Sequence, residues 1–446
     1  MHIVIIGNGI SGTTAARFIR KRSEHKISII SSETKHFFSR TALMYIYMGH
    51  MRYEDTKPYE DWFWKKNRIE LVQAKVERVD YKTKTLQLDS NETLTYDKLV
   101  FALGSKPNKF GWPGQDLKGV GGLYHFQDLE YMEANSKGLK KAVVVGGGLI
   151  GIEMAEMFRS RGIDVTILVR ESDYWNNVLP AEESNMISRH IKEHHIDLRL
   201  GVNLGQIVDD GNGNACAITI KETGEKIECG FVGLTAGVSP NVKFLKDSDL
   251  QIERGIVVNN YLQTNIPDVY AIGDCAQLLD PKPGRRNIEA VWYTGRMMGE
   301  TVAYNITGTP VGYDPGIWFN SAKFLDIEYQ VYGDVRNQIP DDQSTFYWEH
   351  PDGTKAIRLN YHTDSNIVTG FNLMGIRFRH EVCEKWIRTK THIDDVVANL
   401  KLANFDPEFY TQYEDHIIED FNRKTGKNIK LKSKGRLNQV LSFLKR

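Results

Sequence analysis

Three glycines near the start of the chain, Gly7, Gly9 and Gly12, with Glu33 standing 21 residues after the last of them, have the types and spacing to hold a dinucleotide. The first glycine permits a tight turn. The second lets backbone N–H groups approach a pyrophosphate, and the third lets a helix pack closely on a strand. Glu33 falls where a carboxylate accepts from a ribose hydroxyl pair. The pattern returns at Gly146, Gly148 and Gly151, 139 residues after the first. Two such turns imply two nucleotides. A further Gly-Asp pair, Gly273-Asp274, closes the run Val269-Tyr270-Ala271-Ile272.

These residues need a scaffold of strands and helices, and the hydrophobic pattern supplies one. The apolar run from His2 to Ile6 reads as a buried parallel strand. A helix is expected over about residues 11–21, with Ala15, Ala16, Phe18 and Ile19 inward. Its N-terminus offers free N–H groups and a positive dipole end. Lys26 to Ile30 reads as the second strand. Lys141 to Val145, a following helix, and Asp164 to Val169 repeat the arrangement. Short strands are expected at residues 69–72, 76–80, 85–88 and 95–103, a hairpin at 218–229 and a strand at 231–237. From about Tyr313 the composition turns aromatic, with strands at 330–332, 344–348, 356–361 and 367–373 and a helix around 379–388, the pattern of an α+β domain.

The totals exclude several classes. With 446 residues, two or three domains are expected. The 57 basic and 57 acidic residues give no global field for nucleic acid. Four scattered cysteines (Cys216, Cys229, Cys275, Cys383) form no CxxC pair, which argues against a disulfide framework, a zinc site or an iron–sulfur cluster. No metal site is therefore expected. A strand expected from residue 2 leaves no room for a signal peptide, and no apolar run reaches transmembrane length. The expected location is cytoplasmic. Residues 423–446 carry nine basic side chains and no acid, and Leu437, Val440, Leu441 and Leu444 share one face of a short helix. Such a tail suits peripheral contact with the inner membrane face or an acidic partner; docking on its own chain suits it equally.

Taken together, residues 1–310 resemble the two-dinucleotide-fold flavoproteins of the pyridine nucleotide–disulfide oxidoreductase superfamily. The likeness is closest to the branch of ferredoxin and rubredoxin reductases, nitrite-reductase flavodomains and apoptosis-inducing factor. The resemblance implies an α/β fold of two Rossmann-like domains plus a C-terminal α+β domain. FAD is expected at residues 1–113 and 236–310, NAD(P)H at 114–235, an interface or dimerisation domain at 311–422, and a basic tail at 423–446. It implies FAD contacts from Gly7, Gly9, Ser11, Gly12, Glu33, Arg40, Val76, Gly104, Gly237, Gly273 and Asp274, with Trp292 beside the flavin ring. The signature Thr264-x-x-Pro267-x-Val269-Tyr270-Ala271-x-Gly273-Asp274 carries the second half of that site. NAD(P)H is expected at Gly146, Gly148, Leu149, Ile150, Gly151 and Glu153, the last near the nicotinamide.

Departures from the family pattern narrow the reaction. No cysteine lies between Ser39 and Gly49, so the resemblance does not extend to a disulfide reductase. Tyr45 stands where the ferredoxin-reductase branch has a lysine, and is taken with Glu153 and Trp292 as a candidate catalytic group. Leu103 replaces a common threonine. Val169 and Arg170 resemble NADP-selective members, whereas Glu171, Asn176 and the retained third glycine resemble NAD-selective ones; the balance tips to NADPH over NADH. The implied function is hydride transfer from NAD(P)H to flavin N5, then electrons to a one-electron acceptor, a small redox protein such as a ferredoxin or rubredoxin. Two alternatives stay open: a membrane-associated NADH:quinone oxidoreductase, and a slow redox-sensing flavoprotein. A homodimer is compatible with each.

Overall fold

Apolar, β-branched runs assemble two parallel sheets in the computed structural model, which describes residues 1–246, 248–409 and 411–432. The first sheet has five strands in the order Val269–Ala271, Lys98–Phe101, His2–Ile6, Lys26–Ser31 and Ile69–Gln73. Its register sets Ile5 beside Ile29 on one side and Val100 on the other. The second sheet repeats this plan with Asp197–Leu200, Asp164–Val169, Lys141–Val145, Phe231–Leu234 and Val120–Gly121. In both, a three-stranded antiparallel meander follows the third strand before the chain returns beside the first: Val76–Asp80, Thr85–Leu88 and Thr93–Thr95 in one, Leu204–Asp209, Ala215–Ile220 and Lys226–Glu228 in the other. The repeat seen in the glycines thus extends through four strands of each sheet and the meander. The fifth strand follows the others in the first sheet (Val269–Ala271) and precedes them in the second (Val120–Gly121).

Helix Ile10–Arg22 lies against helix Trp292–Ile306, and small residues set the distance. A Cβ added at Gly299 would stand 2.5 Å from the Ser11 carbonyl oxygen, so the backbones touch there. Strand Lys98–Phe101 is shorter than the 95–103 run suggests, because Gly104 turns the chain with φ +65° just beyond it.

The chain divides into two compact units. Met1–Ser172 with Ile196–Pro315 holds both parallel sheets; Asp173–His195 with the chain from Gly316 forms the other. The second unit is built on an antiparallel sheet in the order Phe319–Phe324, Ile327–Gly333, Val368–Met374, Ala356–His362 and Gln343–Glu349. Helices His380–Arg388, Ile393–Ala398 and Glu414–Thr425 belong to it. So does helix Ala181–Glu193, which falls by sequence within the 114–235 span. The physical reason is a buried charge. The guanidinium of fully buried Arg358 donates to both Glu183 carboxylate oxygens, at 2.7 and 2.8 Å, and to Glu182 at 2.7 Å. Removing one partner of such a group leaves an uncompensated charge and costs about 3–5 kcal/mol. Among the described residues no helix is long and apolar enough to cross a membrane. Leu437, Val440, Leu441 and Leu444 lie outside the described residues.

Candidate functional site

Each glycine turn shows the same steric division of labour. Gly7 has φ +112°, and a Cβ there would lie 2.0 Å from the Ala102 oxygen. A Cβ at Gly12 would lie 2.0 Å from the Gly7 oxygen, whereas one at Gly9 would meet nothing within 4 Å. In the second glycine turn Gly146 has φ +130° and a Cβ there would meet the Thr235 oxygen at 2.7 Å, one at Gly151 would meet the Gly146 oxygen at 2.4 Å, and one at Gly148 would meet nothing within 4 Å. The outer glycines are needed for packing. The middle ones leave a bare backbone at a helix N-terminus, which is what an anionic ligand requires.

The first turn opens into a cavity of about 920 Å³, near the top of the ~300–1,000 Å³ range of small-molecule and cofactor sites. It is lined by Gly7, Gly9, Ser11, Glu33, Arg40, Val76, Gly104, Asp274 and Trp292, and also by Leu149, Ile150 and Glu153 from the second turn's helix. Gly12 and Gly273 sit behind the wall; a Cβ at Gly273 would reach Ser11 Oγ at 2.5 Å. Gly146, Gly148 and Gly151 of the second glycine turn, and Arg170 beyond its second strand, do not line this cavity. Gly237 stays outside it as well, with φ +90° and its carbonyl accepting from Asn108 N–H at 3.1 Å.

Tyr45 is not brought to this cavity. Its helix neighbours Leu43 and Met44 line it, while Tyr45 stacks on His50 with ring centroids 6.3 Å apart and lines a smaller depression with Met51 and Pro58. Adjacent residues in the short helix Leu43–Tyr47 project in different directions, so Leu43 and Met44 face the cavity and Tyr45 does not.

At one end of the cavity Glu33 forms a two-pronged pair with Arg40: Nη1 to Oε1 at 2.9 Å and Nη2 to Oε2 at 2.6 Å. The Phe126 N–H also donates to Oε1 at 2.8 Å. A carboxylate has about four acceptor sites, so a place for a hydroxyl remains. Burial would raise the Glu33 carboxyl, but His125, whose Nδ1 is 3.7 Å away, and the Arg40 guanidinium hold it down at about 2. Arg40 also donates to the Tyr124 carbonyl and stands 4.6 Å from that ring's centroid.

Asp274 forms a second polar centre. Its Oδ2 accepts from Ser105 Oγ at 3.1 Å and Tyr124 Oη at 3.0 Å, while the Tyr124 oxygen accepts the Ser105 N–H at 2.8 Å. Burial raises the Asp274 carboxyl above its ordinary range, against the lowering by Tyr124, Ser105 and Arg40. Sequence reasoning missed Tyr124 and Ser105. Ser105 follows the Gly104 turn and could have been suspected; Tyr124 lies 150 residues from its partner Asp274 and carries no local signal.

The cavity contains no cysteine among its lining residues. Cys275, next to Asp274, is buried: its Sγ accepts the Leu103 N–H at 3.3 Å, and burial pushes its thiol up to about 12. Burial likewise pushes Cys229 up to about 12 and raises Cys383. Thiols so placed stay protonated and unreactive. Trp292, 36% exposed, is partly open to solvent at the cavity wall. Arg170, at the end of strand Asp164–Val169, is exposed and bonds Glu171 from Nε at 2.7 Å.

The family profile described as pyridine nucleotide-disulphide oxidoreductase matches residues 1–299. The chain is 32% identical over 279 residues to a nitrite reductase [NAD(P)H] of Bacillus subtilis, covering 62% of this chain and 34% of that protein. It thus spans about a third of that relative's length. An NADH-rubredoxin oxidoreductase of Clostridium acetobutylicum is 28% identical over 340 residues, 76% of this chain and 83% of its own. Among solved structures, a NAD-dependent persulfide reductase from A. fulgidus superposes with TM-score 0.82 at 23% identity, covering 96% of this chain and 84% of that one. That likeness shows the fold, two Rossmann-like domains with a further α/β part.

Proposed function

The chain belongs to the pyridine nucleotide–disulphide oxidoreductase family, and we propose that it is a FAD-dependent NAD(P)H oxidoreductase that delivers electrons to a small one-electron redox protein. The observation that carries this reading is a large cavity that opens from the first glycine turn, is walled in part by Leu149, Ile150 and Glu153 of the helix after the second, and is lined by no cysteine.

The residues suit the cofactor. Gly9 presents bare backbone to the pyrophosphate, Glu33 keeps an acceptor place for ribose, and Asp274 faces the cavity as an acceptor for ribityl hydroxyls. Bound flavin would supply the chemistry, accepting two electrons and releasing them one at a time. The chain supplies position and field. Arg40 neutralises Glu33, so the buried site carries no net charge from this pair. Gly148 offers the second backbone cradle for NAD(P)H, and Glu153, at the cavity wall, orients the nicotinamide carboxamide. Trp292 lines the wall where the cavity opens to solvent and would stand beside the flavin ring. No thiolate intermediate is assigned, because the buried thiols are held protonated.

The one-electron acceptor is supported by the rubredoxin-directed relative. Its test is steady-state NADH and NADPH oxidation with a ferredoxin, a rubredoxin, a soluble quinone and a disulfide as acceptors. Turnover with either redox protein well above that with oxygen supports the proposal. Turnover with the disulfide alone would refute it. A second reading, a quinone reductase at the inner membrane face, is favoured by the nine basic residues of 423–446. Failure of the full-length protein to sediment with anionic vesicles would end it.

A further inference from the structure

The sequence reading expected no metal because it weighed cysteine spacing; the structure brings together different ligands. Within the second unit, we propose that His190, His194 and Asp326 form a binding site for one divalent transition-metal ion of the zinc type. The two histidines are four residues apart at the end of helix Ala181–Glu193, which places their rings on one face with centroids 4.3 Å apart. Asp326 comes from the tight turn between strands Phe319–Phe324 and Ile327–Gly333. One ligand atom from each of the three lies within 4.8 Å of the others.

Hydrogen bonding fixes what these atoms can do. His194 Nδ1 lies 3.0 Å from the His190 carbonyl oxygen, which can only accept, so Nδ1 carries a proton. In the neutral ring Nε2 then bears a lone pair, and it faces the Asp326 carboxylate oxygen at 3.4 Å. A cation between these two atoms, a proton or a metal ion, satisfies both. A tetrahedral ion with bonds of about 2.0–2.2 Å sets its ligand atoms roughly 3.3 Å apart, close to the His194–Asp326 separation, while the hydrogen-bonded His190–Asp326 pair opens to that distance when the ion enters.

His190 completes the set from inside. It is 3% exposed, its Nε2 bonds Asp326, and its buried Nδ1 has no hydrogen-bond partner. Metal ligation at Nε2 moves the ring proton to Nδ1, where the Glu193 carboxylate, 3.7 Å away, accepts it after a small shift. The ring stays neutral and no proton is gained or lost. This is the carboxylate–histidine–metal arrangement that orients ligating imidazoles. His194 and Asp326 are 38% and 70% exposed in their side chains, so the ion enters from solvent and keeps a position for water. Two imidazoles and one carboxylate suit Zn²⁺, Co²⁺ or Ni²⁺ better than Mg²⁺ or Ca²⁺. The bound ion would clamp the last turn of the helix to a strand turn 136 residues away.

The test titrates chelator-stripped, full-length flavoprotein with zinc chloride by calorimetry, with X-ray absorption at the zinc edge. One ion per chain is expected, with nitrogen and oxygen neighbours at about 2.0–2.1 Å and imidazole scattering. His194→Ala and Asp326→Asn should each weaken binding by roughly 10–100-fold or more, while His195→Ala, at the exposed neighbour outside the cluster, should leave it unchanged. Both weakening substitutions fall on partly exposed side chains, and circular dichroism verifies that the variants fold. No zinc binding, equal affinity in wild type and both variants, or a sulfur shell at the edge would overturn the proposal. The outcome is independent of what the flavin site does.

Discussion

In the first nucleotide unit the Gly7 N–H donates to the Ile30 carbonyl at 2.7 Å, and in the second the Gly146 N–H donates to the Leu168 carbonyl at 3.0 Å. The next equivalent bonds also match: Ala102 N–H to Ile6 oxygen at 2.8 Å, and Thr235 N–H to Val145 oxygen at 2.9 Å. The two turns are the same object until the end of the second strand. There the first turn has Glu33 in a partly buried pair with Arg40, and the second has the exposed Arg170 paired with Glu171. The sterics of three glycines set the cradle, and the strand-end charge sets its use. On the proposed reading, the partly buried, neutralised pair suits a cofactor that stays, and the exposed arginine suits a nucleotide that comes and goes.

Substituting the third glycines breaks this comparison most severely. Gly12→Val forces a side chain against the Gly7 carbonyl, with Cβ at 2.0 Å, and is expected to yield protein without flavin, destabilised by about 3 kcal/mol or more. Gly151→Val creates the corresponding clash at 2.4 Å in the second unit. It should keep its yellow colour while losing reduction by NAD(P)H. Flavin content and reduction rate, measured on both variants, separate the two roles.

Arg40→Ala comes next. It leaves the partly buried Glu33 carboxylate with only the Phe126 N–H and the nearby His125 ring, at a cost of about 1–3 kcal/mol in chemical denaturation. Adding Glu33→Gln should recover part of that loss, since the second change removes the unpaired charge.

The same pair predicts an acid response. Glu33 is held at about 2 in the folded chain against an ordinary 4.5. Its stabilising contribution is therefore complete above pH 4.5 and disappears as the pH falls through 2. The stability gap between wild type and Glu33→Gln should be widest above pH 5 and narrow steadily below, as read by denaturant unfolding at stepped pH. A gap that does not change with pH would separate Glu33 from the acid response.

The smallest effect belongs to the second unit. Arg170 is largely exposed, so Glu171→Ala should shift stability by under about 1 kcal/mol. It should instead raise kcat/KM for NADPH relative to NADH by several fold, because Arg170 is released to meet a 2′-phosphate. Unchanged preference would mean the strand end does not select the nucleotide.

Much of this architecture was legible because the chemistry is local. Glycine spacing, apolar runs and the Gly273-Asp274 signature sit within single strand–turn–helix segments, and each emerged where expected. What escaped depends on partners far apart in sequence. Tyr124 acquires meaning only beside Asp274, 150 residues on. Helix Ala181–Glu193 joins the antiparallel unit through Arg358, 175 residues from Glu183. Strand Phe319–Phe324 (Phe-Asn-Ser-Ala-Lys-Phe) alternates too weakly to be read as a strand. Tyr45 shows the converse: its position in the pattern was clear, but the direction of its side chain was set by a five-residue helix.

Anaerobic stopped-flow reduction of the purified flavoprotein tests the central claim most directly, with NADH and NADPH mixed in separately and flavin absorbance followed. The account predicts rapid bleaching by at least one nucleotide, abolished in Gly151→Val with flavin still bound. Purification without flavin, or bleaching at the same rate in wild type and Gly151→Val, would contradict it.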